Sequence, residues 1–310
     1  MSEDDDRTAS LMTPAKLAQL KVRPAAAASP AAWLDQMAAD AGSGHVRRLV
    51  DLRRQLVVQL GEDATAGVTA AGAALRDAVG AVDLGLAQPK GWLARATGKG
   101  KEAAATFLAQ AERAGHAGDE LADEARGLPR KLQAQATPLD RSVLEMEVEL
   151  RAIEKIMDQG ARWLQDMRNQ LKARESAGGD DAVQQQIRED SARCELLVAR
   201  LKLLRGVSAA GQQALEQCQA LPARRNALSD SVQKVLDGQL ERWRKKLAPL
   251  VEQAAAAGGA SEGVDRAQDA REALQRALQQ LAQDGEALRR QQQAAVDALA
   301  AAEAPLEAAF

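Results

Sequence analysis

Along most of this chain apolar side chains recur in alternating steps of four and three, the spacing that lines one face of an α-helix. The longest run is Leu139, Val143, Met146, Leu150, Ile153, Met157, Gly160, Leu164, Met167 and Leu171. Thr137-Pro138 precedes it and "SAGGD" (176–180) follows. The pattern therefore predicts a helix that opens at the proline and closes at the glycines. At 1.5 Å per residue this rod is roughly 50–60 Å long. A second run begins near Asp181 and holds Val183, Ile187, Cys194, Leu197, Leu201, Leu204, Ser208, Gly211, Leu215 and Cys218, with Asp190 as a charged intruder. Two unbroken stripes joined by a short glycine-rich loop predict an antiparallel helical hairpin.

The flanking segments keep the rhythm with smaller side chains. "HVRRLVDLRRQLVVQLG" (45–61) sets Val46, Leu49, Val50, Leu56, Val57 and Leu60 on one side, with Arg47, Arg48 and Arg54 mostly on the other. Val68, Gly72, Leu75, Val79, Val82 and Leu86 follow. An interior glycine costs about 1 kcal/mol against alanine, so this piece is expected to be a weak or mobile helix. Phe107, Ala111, Ala114, Gly118, Leu121, Ala125 and Leu128 run up to Pro129, where a helix end is predicted. Pro222 opens a further helix with Leu228, Val232, Leu236, Leu240, Trp243, Leu247 and Leu250 on its face and a kink at Pro249. The last stripe, Leu274, Leu278, Leu281, Gly285, Leu288, Ala295 and Leu299, is narrow, which predicts a helix able to detach or to pair with another chain.

These segments divide the chain into four parts. Residues 1–29, acidic and then rich in Pro and Ala, read as a disordered arm. Residues 30–88 read as short N-terminal helices, the first opened by Ser29-Pro30 and carrying Trp33, Leu34 and Met37. Residues 89–258 form the long-helix core and 259–310 a C-terminal Ala/Gln-rich helix. The fold class is all-α: an elongated antiparallel helical bundle of coiled-coil-like long helices without a sheet. Composition agrees, since about a fifth of the residues are alanine, aromatics make up 2% and tyrosine is absent.

Charge narrows the partners. With 41 basic and 44 acidic residues the net charge is −3, which gives no overall pull toward nucleic acid. Single-strand binding also needs several stacking aromatics along a basic groove, so no nucleic-acid partner is expected. "MSEDDDRTAS" lacks the basic opening of a secretory signal, and the charge-free stretch 64–75 is shorter than the roughly 20 residues of a membrane span. The expected location is cytoplasmic, extending to the inner membrane face.

No residues assemble into a catalytic constellation, so no enzyme activity, cofactor or small-molecule substrate is expected. His45 and His116 lack ligand spacing, and neither has a Glu three residues before it, so no metal site is expected. Cys194 and Cys218 stand 24 residues apart, roughly 36 Å along one helix, whereas a disulfide needs about 7 Å. Both occupy the apolar stripe and read as small hydrophobes. "LEMEVELRAIEK" (144–155) is rich in carboxylates, but Glu147 and Arg151 form an ordinary i,i+4 surface pair.

Two stretches remain. "KGWLARATGKGK" (90–101) does not have the glycine spacing of a phosphate loop. It reads as a hinge, or as an anion or membrane-surface contact through Lys90, Trp92, Arg95, Lys99 and Lys101. "QLERWRKKLAPL" (239–250) offers Arg242, Arg244, Lys245 and Lys246 for the same purpose, while Trp243 lies on the helix's own apolar stripe.

The order of these features from residue 90 to about 300 resembles the TelA/KlaA family of bacterial toxic-anion (tellurite) resistance proteins. The matching pieces are Gly98-Lys99-Gly100-Lys101, then "LEMEVELRAIEKIMDQGARWL", "IREDSARCELLVARLKLL" and "SAAGQQAL". The resemblance rests on arrangement and transfers no catalytic residue. It implies a cytoplasmic helical protein, associated with survival of tellurite and other stresses. Such a protein would act without enzymatic chemistry, through protein partners, self-association of helices or an anionic membrane surface. The alternatives are a coiled-coil scaffold or adaptor and a peripheral lipid-surface helical protein.

Overall fold

The computed structural model describes residues 40–88, 99–256 and 263–310. The arm expected at 1–29, the helix expected around Trp33, residues 90–98 of the expected hinge and the glycine-rich stretch at 257–262 lie outside them. The described chain is all-α, with no strand. Its helices are α1 (Ser43–Leu60), α2 (Ala66–Ala81), α3 (Lys99–Ala177), α4 (Asp181–Gln219), α5 (Leu221–Gln233), α6 (Glu241–Ala255), α7 (Val264–Ala301) and α8 (Glu303–Ala308). A 3-10 turn at Leu84–Ala87 follows α2, and a π-helical segment at Lys234–Leu240 joins α5 to α6.

Helix α3 overturns the helix end predicted at Pro129 and the helix start predicted at Pro138. Both prolines lie inside one helix of 79 residues. Each lacks an N–H and so removes one rung of the ladder. Both face outward, and Leu128, Leu132 and Leu139 beside them are buried. Water can solvate the carbonyls freed on the exposed side while burial of the opposite face holds the helix together.

The contacts group into two units. Among the described residues, the first holds residues 40–48, Glu149–Ala209 and Pro305–Phe310; the second holds those between Leu49 and Val148 and between Ala210 and Ala304. In the first unit α3 reverses into α4 as the sequence predicts. Gly178 turns at φ +68°, and the Asp180 carboxylate accepts the Val183 N–H at 2.9 Å, capping α4. Leu164, Met167 and Leu171 then pack on Ile187, Cys194 and Leu197. Asp190, the intruder in the stripe, is buried and accepts from Arg174 at 3.0 Å and Arg193 at 3.2 Å.

In the second unit α7 packs against α2, α5, the π-helical segment and α6. The C-terminal helix, expected to be able to detach or to pair with another chain, thus packs within this unit, α2 included. Eleven residues of α7 are buried, including Ala267, Ala270, Ala277, Ala295 and Ala298. Alanines on both sides of the leucine stripe widen it, because they bury fully where helices approach closely. Polar ties add to this: the Gln291 amide donates to the Gln217 carbonyl at 2.9 Å, and Arg271 donates to the Val82 carbonyl.

The same crossing explains why α2 carries glycine. A Cβ on Gly72 would stand 3.0 Å from Leu281 Cδ2, and one on Gly285 only 2.8 Å from Thr69 Cγ2. Thr69 cannot turn away freely, since its hydroxyl donates to the carbonyls of Thr65 and Ala66. Gly285→Ala is thus expected to destabilise by about 1–3 kcal/mol through overpacking, despite alanine's better helix propensity. Gly127→Ala, where the nearest contact is Lys131 Cε at 3.7 Å, is expected to stabilise by about 0.5–1 kcal/mol. Opposite shifts in thermal midpoint, followed by circular dichroism, check the pair. Two shifts of the same sign would remove the close-packing account.

Spacing also explains the π segment. The steps Leu228, Val232, Leu236 and Leu240 are three fours in succession, one residue more than the heptad rhythm holds. The chain absorbs the extra residue in a wider π turn, which buries Val235 and leaves Leu236 half-buried.

Candidate interaction surfaces

Helix α6 places the second basic stretch. Trp243, Leu247 and Leu250 are buried, and at 100° per residue Arg242, Lys245 and Lys246 fall outside that face and are exposed. None of the three is in an ion pair among the described residues. Arg244 is engaged within the unit instead. Its Nη2 donates to Asp119 Oδ1 at 2.6 Å and to the Gly115 carbonyl at 3.2 Å on α3. Gly118 makes room for this arm, since a Cβ there would meet Arg244 Nη2 at 2.7 Å. Of the four cations read as surface contacts here, Arg244 is therefore a helix-to-helix tie.

The first basic stretch is only partly visible. Lys90, Trp92 and Arg95 lie outside the described residues. Lys99 opens α3, and Lys101 is exposed on its first turn. The structure does not bring the two stretches into one described site.

Trp243 is fully buried and lines a cleft of about 480 Å³ with Leu108, Ala111, Gly115, Leu247 and Val251. Its indole N–H is buried and has no acceptor among the described residues. A second buried polar group in this unit is Arg225 on α5, whose side chain is 7% exposed. Burial pushes its guanidinium below the ordinary value, and Asp140 at 3.7 Å opposes this. Among the described residues, Nε and Nη2 have no hydrogen-bond partner. A buried charge with one distant counter-ion stabilises little. Arg225→Met is expected to leave the urea midpoint unchanged or to raise it, and a loss above about 2 kcal/mol would show that the pair does stabilise the fold.

In the first unit, His45 Nδ1 lies 2.6 Å from Glu149 Oε2. Among the described residues no group of three or more His, Cys, Asp or Glu is placed to hold a metal ion. Both cysteines are buried and free, and burial raises both thiols, that of Cys218 to about 11. For Cys194, Arg168 lowers the value against burial and Asp190 raises it.

Sequence reasoning missed one surface. Between α3 and α4 of the first unit runs a cleft of about 520 Å³, walled by Leu164, Val198 and Leu201 and edged by Arg168, Lys202 and Arg205. Its signal was present as cations one to four residues beyond the seam leucines 164 and 201. Which side of a two-helix ribbon stays open is not contained in that spacing.

No helix among the described residues is long and apolar enough to cross a membrane. No protein-family model, curated protein or solved structure matches this chain.

Proposed function

We propose that this chain is a non-enzymatic stress-response protein of the TelA type. In this reading it contributes to resistance against tellurite and related toxic anions by binding protein partners or an anionic membrane surface, in a cytoplasmic setting. The observation that supports the reading is the outer side of α6. Arg242, Lys245 and Lys246 stand exposed above a buried Trp243–Leu247–Leu250 seam, with no ion pair taking up their charge among the described residues. A rigid helix that presents unneutralised cations attracts an acidic surface and fixes its orientation.

The test is genetic. Deleting the gene should raise sensitivity to tellurite, and the wild-type copy should restore growth while an Arg242→Glu/Lys245→Glu/Lys246→Glu copy should not. Unchanged sensitivity of the deletion strain removes the resistance assignment. Co-flotation with anionic vesicles at low salt then separates a membrane surface from a protein partner.

A scaffold or adaptor is the second reading. Leu144 and Val148, one turn apart on α3, are each 62% exposed and form an apolar pair suited to another helix. Light scattering decides it, because a strict monomer at high concentration argues against a self-assembling scaffold.

A further inference from the structure

Among the described residues, residues 41 and 309 cover the Arg200 side of the first unit's hairpin. Arg200 of α4 donates from Nε to the Ala41 carbonyl at 3.0 Å and from Nη1 to the Ala309 carbonyl at 2.6 Å. Leu204 and Ile156 reach Gly42 from the same side. At 100° per residue Lys202 points some 200° away from Arg200 around α4. It belongs to the opposite side, where the cleft edged by Arg168, Lys202 and Arg205 opens.

Chemistry defines what this cleft takes. Leu164, Val198 and Leu201 give it an apolar floor, and among the described residues no carboxylate lines it. None of the three cations is in an ion pair among the described residues. Like charges gathered without a counter-charge favour an acidic occupant, and the floor favours one that also carries apolar side chains.

The chain contains such a segment. Glu3, Asp4, Asp5 and Asp6 are its only run of four consecutive acids, and Leu11-Met12 follow closely. They lie outside the described residues, and residues 7–39 connect them to Asp40. Ala41 is held at Arg200, two and five residues from Lys202 and Arg205 on the same helix. The distance still to be crossed is on the order of one helix diameter, about 10–12 Å. The 33 connecting residues reach up to roughly 110 Å when extended. Tethering makes the encounter intramolecular, with an effective concentration in the millimolar range.

We propose that the basic cleft between α3 and α4 is the docking site of this chain's own acidic segment, with Glu3–Asp6 against Arg168, Lys202 and Arg205 and Leu11-Met12 on the apolar floor. The cleft is then occupied in the resting protein, and a stronger acidic ligand must displace the segment to bind. This inference stands apart from the tellurite reading, because its test contains no resistance measurement.

The experiment uses the full chain with benzoylphenylalanine at position 11. Illumination should give a crosslink within one chain that maps to residues 161–169 or 198–205. Arg168→Glu/Lys202→Glu/Arg205→Glu should reduce its yield at least fivefold with helicity unchanged. Adding Glu3→Lys/Asp4→Lys/Asp5→Lys/Asp6→Lys to that variant should restore it. A peptide of residues 2–14 added at millimolar concentration should compete with the wild-type crosslink. Crosslinks to other positions, a yield indifferent to the charge reversal, or a product of two chains each overturn the proposal.

Discussion

Replacing Trp243 by alanine is expected to cost about 3–5 kcal/mol, the loss of a large side chain from a closed core. Trp243 has no exposed surface, and Leu247 and Leu250 continue its seam along α6. The cleft beside it already holds about 480 Å³ of open space, so truncation enlarges a void that the flanking helices do not fill. Trp243→Phe separates packing from polarity. The indole N–H is buried with no acceptor among the described residues, a defect of about 1–3 kcal/mol that phenylalanine removes. Phenylalanine keeps most of the ring contact, so its net cost is expected below about 1.5 kcal/mol. Urea unfolding of both variants checks this. An alanine variant within about 1 kcal/mol of wild type would mean that α6 is not packed as described.

What the sequence showed and what it hid divide along physical lines. The hairpin was legible because its stripes contain large residues at unbroken intervals and its loop contains Gly178 and Asp180, which have fixed roles in turns and caps. The helix boundaries at Pro129 and Pro138 were misread because a proline rule considers one residue, whereas the outcome depends on which way that residue faces. Both face solvent, and the buried side carries the helix through. Helix α7 was misread for a related reason. Alanine counts for little in a hydrophobic stripe read one helix at a time, yet five alanines are buried there, and Gly72 and Gly285 mark where α2 and α7 come close. The cations of α6 were legible as a cluster, but the fate of Arg244 depends on Asp119, 125 residues earlier. The cleft of the first unit was hidden most completely, since its open side is defined by where Arg200 holds residues 41 and 309.

The Cys218 thiol is expected to react at least about a hundredfold more slowly at pH 8 than a free cysteine, and Cys194 is expected to be slowed in the same direction. Burial raises Cys218 to about 11. At pH 8 a free thiol of ordinary pKa near 8.5 is about a quarter thiolate, while Cys218 is about a thousandth. Cys194 is raised in the same direction, with burial the largest cause. Labelling with a disulfide reagent should therefore be slow in the native protein and fast in urea. The linkage has a definite sign. Native Cys218 holds its proton more tightly than the unfolded chain, so its contribution to stability is complete below about pH 8.5 and is lost as pH rises toward about 11. The loss is on the order of 3 kcal/mol and should be smaller in Cys218→Ala, where only Cys194 of the two thiols remains, as urea midpoints at pH 8 and 10.5 would show. Rapid labelling of the native protein at pH 8 would contradict both statements. Thiol attack is the natural chemical route to a tellurium oxyanion, and a cysteine held protonated inside a helix seam is a poor nucleophile at neutral pH. Under the proposed tellurite reading, protection passes through the charged surfaces, so substitutions at Arg242, Lys245 and Lys246 should matter for growth where substitutions at Cys194 and Cys218 do not.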